Sequence, residues 1–216
     1  MGGSKLCGDS VNSIKAHQRR LRGTLGSPRP QRVEDTTISF NEDDAKRLRG
    51  PHDDALIIEL EVGNCVVARI LVDGGSSVDV IFKTTLDRMS IKEAEIEHKP
   101  NQLSGFNGEV TPSLGIIELP VRAGDLNRMV EFTVLDCPSP FKAILGRPWI
   151  HEMRAVPSTY HLCVRFPTPN GIQEIRGSQE ASRICYMNNH KMIAKKREPE
   201  ESDSEGPPVE EANEVQ

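Results

Sequence analysis

The chain has few aromatic residues, no closely paired cysteines and no long apolar run. Aromatic residues make up 4% of its 216 residues. The six histidines lack metal-ligand spacing and no C-x-x-C pair occurs, which argues against a metal site. No run approaches the ~18 apolar residues of a membrane span, and no apolar segment follows Met1. We expect no metal, cofactor or membrane contact, a cytoplasmic location, and reduced thiols at all five cysteines: Cys7, Cys65, Cys137, Cys163 and Cys185.

Charge is distributed unevenly along the chain. Residues 1–34 hold seven Lys and Arg against two acids, a net of +5, whereas residues 198–216 hold eight acids and no base, a net of −8. The total of −5 therefore leaves residues 35–197 near −2. Charged ends that are rich in Pro, Gly and Ser indicate disordered arms around a nearly neutral folded middle.

These shifts in composition predict three parts. We expect a disordered basic arm over residues 1–37, a folded domain with a C-terminal extension over residues 38–186, and a disordered acidic tail over residues 187–216. The core of the domain is predicted at about residues 53–166. The basic arm lacks interleaved aromatic residues and a zinc knuckle, which argues against nucleic-acid binding.

Short runs in which apolar and polar residues alternate dominate the middle of the chain. Residues 56–62 and 65–72 alternate on either side of Gly63-Asn64, which predicts a hairpin with a two-residue turn. Phe82, Leu86 and Met89 lie at helical spacing and predict a short helix, and Pro148 fits the first turn of another. Many short strands with frequent turn signals indicate an all-β barrel or sandwich. The other strands are predicted at residues 116–121, 129–135, 143–146, 161–166 and 171–175.

One carboxylate stands where an apolar run enters a glycine-rich turn, in Ile70-Leu71-Val72-Asp73-Gly74-Gly75-Ser76-Ser77. A strand that ends on Asp73 holds the carboxylate on rigid backbone, and the glycines let a second peptide backbone come close. This placement suits a carboxylate that activates water. The alternative is an ordinary turn aspartate, because Asp and Gly favour turns in any case. A phosphate loop is disfavoured, since neither glycine-rich phosphate motif is present and Asp73 would repel an anion.

Several segments, in sequence order, resemble a known family. Residues 71–77 are similar to the active-site loop of retropepsin-like aspartic proteases, usually Asp-Thr/Ser-Gly, and Ala143-Ile144-Leu145-Gly146-Arg147 resembles the second signature of that family. Three further segments look like the protease region of plant Ty3/gypsy-type retrotransposon polyproteins: residues 51–56, 103–108 and 157–162. Residues 175–186 extend the likeness past the protease core, so that it covers about residues 38–186.

The resemblance implies a small closed all-β barrel with one or two short helices. It also implies a homodimer in which each chain supplies one Asp73, and hydrolysis of peptide bonds in the chain's own polyprotein, in the cytoplasm or within virus-like particles. Asp73 is thereby assigned as the catalytic residue. The remaining assignments are the active-site loop (Gly74, Gly75, Ser76 and Ser77), the substrate-binding flap (Gly105, Phe106, Asn107 and Gly108) and the second signature (Ile144, Leu145 and Gly146).

A dimer is also expected from the residues alone. The sequence contains one loop of the Asp73 type, and a water-activating pair needs two carboxylates, so a twofold axis through the loop would supply the second one. Gly74 departs from the family pattern, which has Thr or Ser there with a hydroxyl that bonds across the dimer axis. Two hypotheses therefore stay open: an active aspartic endopeptidase, and a catalytically inactive relic that serves as a structural or protein-interaction module.

Overall fold

The computed structural model describes residues 11–12, 16, 37–99, 102–104 and 110–197. The strands in these ranges are β1 (Ile57–Val62), β2 (Cys65–Val72), β3 (Asp79–Phe82), β4 (Gln102–Ser104), β5 (Val110–Pro112), β6 (Gly115–Ala123), β7 (Leu126–Leu135), β8 (Ala143–Leu145), β9 (Val156–Ser158), β10 (Cys163–Thr168) and β11 (Gly171–Arg176). The helices are α1 (Glu42–Ala45), α2 (Lys83–Arg88), α3 (Arg147–Glu152) and α4 (Gln179–Arg197), with a 3₁₀ turn at Glu93–Glu95.

Six strands close into a barrel in the order β1-β2-β8-β3-β7-β6. Antiparallel hairpins form β1–β2 and β6–β7, and β1 closes the ring by pairing with β6 at Glu61 and Val62. Two pairs, β2–β8 and β3–β7, are parallel, so they join segments far apart in the sequence. Closure leaves no free edge in the ring. The expected all-β closed barrel is therefore confirmed.

The barrel encloses one main hydrophobic core. From Ile58 onward β1 alternates as the sequence predicted: Ile58, Leu60 and Val62 are buried, Glu59 is exposed and Glu61 is half-buried. Each fully buried Leu, Ile, Val or Phe side chain contributes about 1.5–3 kcal/mol relative to an exposed one. The largest side chains in this core include Trp149, Phe132, Phe166, Ile70, Leu119 and Leu145.

A second sheet of three strands, in the order β11-β10-β9, stands outside the barrel. Arg165 on β10 fastens the segment around α1 to this sheet: its guanidinium contacts Asp44 Oδ1 at 2.6 Å and Glu174 Oε2 at 2.7 Å, and it lies 4.6 Å from the centre of the Phe40 ring. The hydrogen bond from Arg165 lowers the pKa of Asp44 to about 2. The segment before β1 is thus held to the folded domain.

The local predictions of strands and helices agree with most of these elements. The hairpin around Gly63-Asn64, the strands near 116–121, 129–135 and 143–146, and the helices after Phe82 and Gly146 are all present. Several elements were not predicted, among them α1, β4, β5 and β9. The sequence analysis missed β3, whose four residues are all buried, and it missed α4, which runs to Arg197.

Three further observations bear on the ends and the cysteines. Val11 lies within the range predicted as a disordered arm, yet it is buried in the main core and its N–H donates to Glu95. Cys65 is disulfide-bonded, so the expectation of five reduced thiols is wrong at that position. Cys163 and Cys185 are free, and their burial raises both thiol pKa values. Among the helices in the described ranges, none is long and apolar enough to cross a membrane.

Candidate active site

Asp73 stands at the mouth of a tight turn between β2 and β3. Its backbone N–H donates to the carbonyl of Leu145 at 2.9 Å, and the N–H of Ser76 closes the turn onto the Asp73 carbonyl at 3.2 Å. The Gly75 N–H donates to Asp73 Oδ1 at 2.8 Å. The side chain is half-buried. The carboxylate is therefore held by backbone on both sides and still reaches solvent.

The two glycines of the loop differ in their surroundings. A Cβ atom at Gly75 would lie 3.1 Å from Asp73 Oδ1, so a side chain there would press on the carboxylate. A Cβ atom at Gly74 would meet nothing within 4 Å, and Gly74 is exposed. Position 75 is therefore occupied by glycine because the Asp73 carboxylate lies close to its backbone. Position 74 has room for a side chain in this chain.

The two serines of the loop, Ser76 and Ser77, differ in how their hydroxyl groups are placed. Ser76 Oγ donates to the carbonyl of Val78 at 2.7 Å, so this hydroxyl is used within the loop itself. Ser77 is exposed. The Ser76 hydroxyl thus stabilises the loop from within, whereas open space surrounds Gly74.

The segment predicted as the second signature lies directly against the loop. Leu145 pairs with Val72 in the parallel β2–β8 ladder and accepts the N–H of Asp73. Gly146 is buried, and a Cβ atom there would lie 2.4 Å from the Val78 carbonyl oxygen and 2.9 Å from that of Ser76. Only a residue without a side chain allows this contact between the two backbones. The structure therefore brings the two sequence motifs together.

An apolar surface extends from Asp73 across three strands. Ile144 on β8 pairs with Leu71 on β2 and with Val80 on β3, so these three side chains share one face. Asp73 follows Leu71 by two residues, which places it on the same face. Val80 belongs to a second apolar cluster, which Leu103 on β4 also joins. The carboxylate thus lies beside an apolar surface.

The predicted flap residues Gly105, Phe106, Asn107 and Gly108 lie outside the described residues. The strands on either side are described: β4 and β5 pair antiparallel, with Ser104 opposite Val110. The assignment of residues 105–108 as a flap stays a prediction.

Asp79 is a site residue that the sequence analysis missed. It begins β3, is 3% exposed, and accepts the Gly146 N–H at Oδ1 over 2.6 Å and the Trp149 N–H as well. Burial raises the pKa of Asp79 to about 6, against the lowering effect of these two backbone hydrogen bonds. The signal in the sequence is one charged residue inside the apolar run Val78-Asp79-Val80-Ile81-Phe82.

No protein-family model matches this chain, and no curated protein matches it. Several solved structures do. The retroviral protease-like domain of Ddi1 from Leishmania major has 14% identity and a TM-score of 0.47, and the match covers 59% of this chain and 96% of that one. The protease of EIAV, solved with the inhibitor HBY-793, has 14% identity and a TM-score of 0.39 over 56% and 99% of the two chains.

A retropepsin-like aspartic protease from Rickettsia conorii has 13% identity and a TM-score of 0.39, covering 55% of this chain and 80% of that one. All three structures are thus of proteases or protease-like domains.

Proposed function

We propose that this protein is an aspartic endopeptidase that acts as a homodimer, with one Asp73 from each chain. The observation that carries the proposal is the position of Asp73. Its half-buried carboxylate is fixed by the Gly75 N–H at 2.8 Å, on a loop that β2, β8 and the Gly146 backbone hold in place. A fixed carboxylate at the edge of an apolar surface is what hydrolysis by a carboxylate pair requires.

The chemistry follows from bringing two such carboxylates together. Two carboxyl groups a few ångströms apart cannot both ionise readily, so the pair shares one proton. The ionised Asp73 removes a proton from a bridging water while the water oxygen bonds to the scissile carbonyl carbon. The protonated Asp73 gives its proton to the carbonyl oxygen. The tetrahedral adduct then collapses and the C–N bond breaks. The amine leaves with the proton that the first Asp73 took from the water, and the second Asp73, now ionised, takes back a proton from one hydroxyl of the adduct.

The apolar surface beside Asp73 supports a peptide as the substrate. Leu71 and Ile144 are half-buried, so they offer side-chain surface to a ligand, whereas Val80 is almost fully buried behind them. An extended peptide can place apolar side chains on such a surface while its backbone lies over Gly75. The resemblance of the sequence to retrotransposon proteases makes the chain's own polyprotein the proposed substrate.

The inactive-relic hypothesis is favoured by one observation, the glycine at position 74. Open space surrounds Gly74 and no hydroxyl is present there to link two chains. An interaction module would need the barrel but not the paired carboxylates. The two functions therefore differ in whether Asp73 is required.

Cleavage of a peptide library at mildly acidic pH tests the proposal. The wild-type protein is compared with Asp73→Asn, each with and without pepstatin. We expect cleavage that the substitution abolishes and that pepstatin inhibits. Cleavage that survives Asp73→Asn would rule out the aspartic mechanism, and a folded wild-type dimer that cleaves nothing in the library would favour the inactive module.

A further inference from the structure

The carboxyl group of Asp79 joins two segments that together form the candidate active site. Asp79 is the residue at which the loop from Asp73 enters β3, and it is 3% exposed. Its Oδ1 accepts the Gly146 N–H at 2.6 Å, and its carboxyl group also accepts the Trp149 N–H. Gly146 and Trp149 are the N-cap and the third residue of α3. Asp79 is therefore the cap of this helix, supplied from β3, the strand that pairs with β8.

The same junction fixes the loop at three further points. The Arg147 N–H donates to the Ser76 carbonyl at 3.0 Å, and the Asp73 N–H donates to the Leu145 carbonyl at 2.9 Å. The backbone of Gly146 packs on the carbonyl groups of Ser76 and Val78. Residues 145–149 thus hold the loop from its first residue to its last, and Asp79 provides the one charged group described in that contact.

We propose that Asp79 is a positioning residue, whose buried carboxyl group fastens the start of α3 to the end of the active-site loop and thereby fixes the place of Asp73. This inference rests on the proposed protease function, because the loop matters for catalysis only if Asp73 does. A carboxylate that caps a helix from a distance holds the two elements together, since it accepts N–H groups that have no partner inside the helix.

The protonation of Asp79 gives this contact a measurable signature. Burial, helped by the charge of Glu152 on α3, raises its pKa to about 6 against the lowering effect of the two backbone hydrogen bonds. The other charged or titratable residues of these elements are Arg147 and His151 on α3 and Asp73 in the loop, and the residue of β7 that pairs with Asp79 is the uncharged Phe132. The contact is therefore expected to change between mildly acidic and neutral pH.

Selective labelling makes the contact visible. The chain has a single tryptophan, so ¹⁵N-tryptophan labelling gives one backbone amide signal, from Trp149, and one indole signal that serves as an internal reference. In the full-length wild-type protein we expect the backbone amide shift to titrate with a midpoint near pH 6. The Asp79→Asn variant is expected to lose this titration.

Three control variants assign the titration. His151→Gln is expected to leave the midpoint in place, which separates Asp79 from a histidine, the residue type that ordinarily titrates in this range. Glu152→Gln is expected to lower the midpoint, because it removes a charge that opposes ionisation of Asp79. Asp73→Asn is expected to leave it unchanged. A midpoint that persists in Asp79→Asn, or a wild-type amide that does not titrate, would overturn the assignment.

The positioning role is tested by the kinetic constants of the same variant. Asparagine keeps one acceptor oxygen, so Asp79→Asn is expected to lower kcat about ten-fold with KM within about two-fold of wild type, since the reacting group moves but the binding surface does not. The matched control is Thr168→Val, which removes a buried hydrogen bond to Gly171 in the second sheet. It is expected to lower the melting temperature and to leave kcat unchanged.

The two experiments separate the two proposals. A wild-type protein that cleaves no peptide but shows the Trp149 titration would contradict the proposed function and leave the Asp79 contact standing. Cleavage with equal kcat in wild type and Asp79→Asn would overturn the positioning role and leave the protease standing.

Discussion

The backbone N–H of Asp73 donates a hydrogen bond to the carbonyl of Leu145 at 2.9 Å. This contact joins two sequence motifs that lie about seventy residues apart, and it is continued by the parallel pairing of Val72 with Leu145. Because the parallel β2–β8 ladder sets the register, the loop cannot shift along β8 without breaking this bond. The position of the candidate catalytic carboxylate therefore depends on the barrel as a whole.

Replacing Gly75 with Ala should impair catalysis without unfolding the protein. The new Cβ atom would lie 3.1 Å from Asp73 Oδ1, so the carboxylate must move by a few tenths of an ångström. We expect kcat to fall about ten- to a hundred-fold, measured with a peptide substrate. The matched control is Gly74→Ala, which enters open space and should leave kcat unchanged. Equal effects of the two substitutions would contradict this account of Gly75.

Replacing Gly146 with Ala should destabilise the fold. A Cβ atom there would stand 2.4 Å from the carbonyl oxygen of Val78 and 2.9 Å from that of Ser76, and both are backbone atoms that cannot rotate away. We expect a loss of about 1–3 kcal/mol in the free energy of unfolding, measured by urea denaturation. A variant as stable as wild type would show that the loop and the start of α3 are not in close contact.

The free energy of unfolding should fall as the pH rises from 4 to 7. The pKa of Asp79 is raised from 3.8 to about 6 in the folded state, so the folded protein holds this proton more tightly than the unfolded chain. The contribution of Asp79 to the free energy of unfolding is therefore fully present below pH 3.8. It is lost as the pH rises through 6, and the loss amounts to up to about 3 kcal/mol. Urea denaturation across this range measures it. Asp79→Asn should reduce the slope of the free energy of unfolding against pH. An unchanged slope in this variant would show that other groups cause the pH dependence.

Replacing Gly74 with Thr should strengthen the dimer. Open space surrounds this position, and the resemblance implies that a hydroxyl here bonds across the twofold axis. Two new hydrogen bonds of about 1 kcal/mol each would lower the dimer Kd by roughly thirty-fold, measured by analytical ultracentrifugation. Gly74→Val, which has the same shape without the hydroxyl, is the control. A valine variant that dimerises as tightly as the threonine variant would attribute the gain to packing instead.

The hairpins and the catalytic loop could be predicted from the sequence because their signals are local. Period-two alternation on either side of Gly63-Asn64 specifies two neighbouring strands and their turn. The loop at Asp73 was found because an apolar strand leads straight into glycines. These patterns need no information from distant parts of the chain.

The rest depends on contacts between distant residues. The strand β3 was missed because Asp79 interrupts an apolar run of only a few residues, and its burial makes sense only once the Gly146 N–H, 67 residues further on, is in place. The long helix α4 was missed because its polar residues far outnumber its buried ones: Ser182 and Cys185 are the buried residues described in it. A helix with so few buried residues gives only a weak helical periodicity in the sequence.

The most direct test of the central claim is a mixing experiment with wild-type protein and Asp73→Asn. Wild-type protein at a fixed concentration, high enough to be dimeric, is incubated with a fourfold excess of the variant, and peptide cleavage is measured at mildly acidic pH. If each active site is built from two Asp73 residues, random exchange should leave about one-fifth of the wild-type activity. Activity that does not change with added variant would show that a single chain carries a complete site, and would contradict the account.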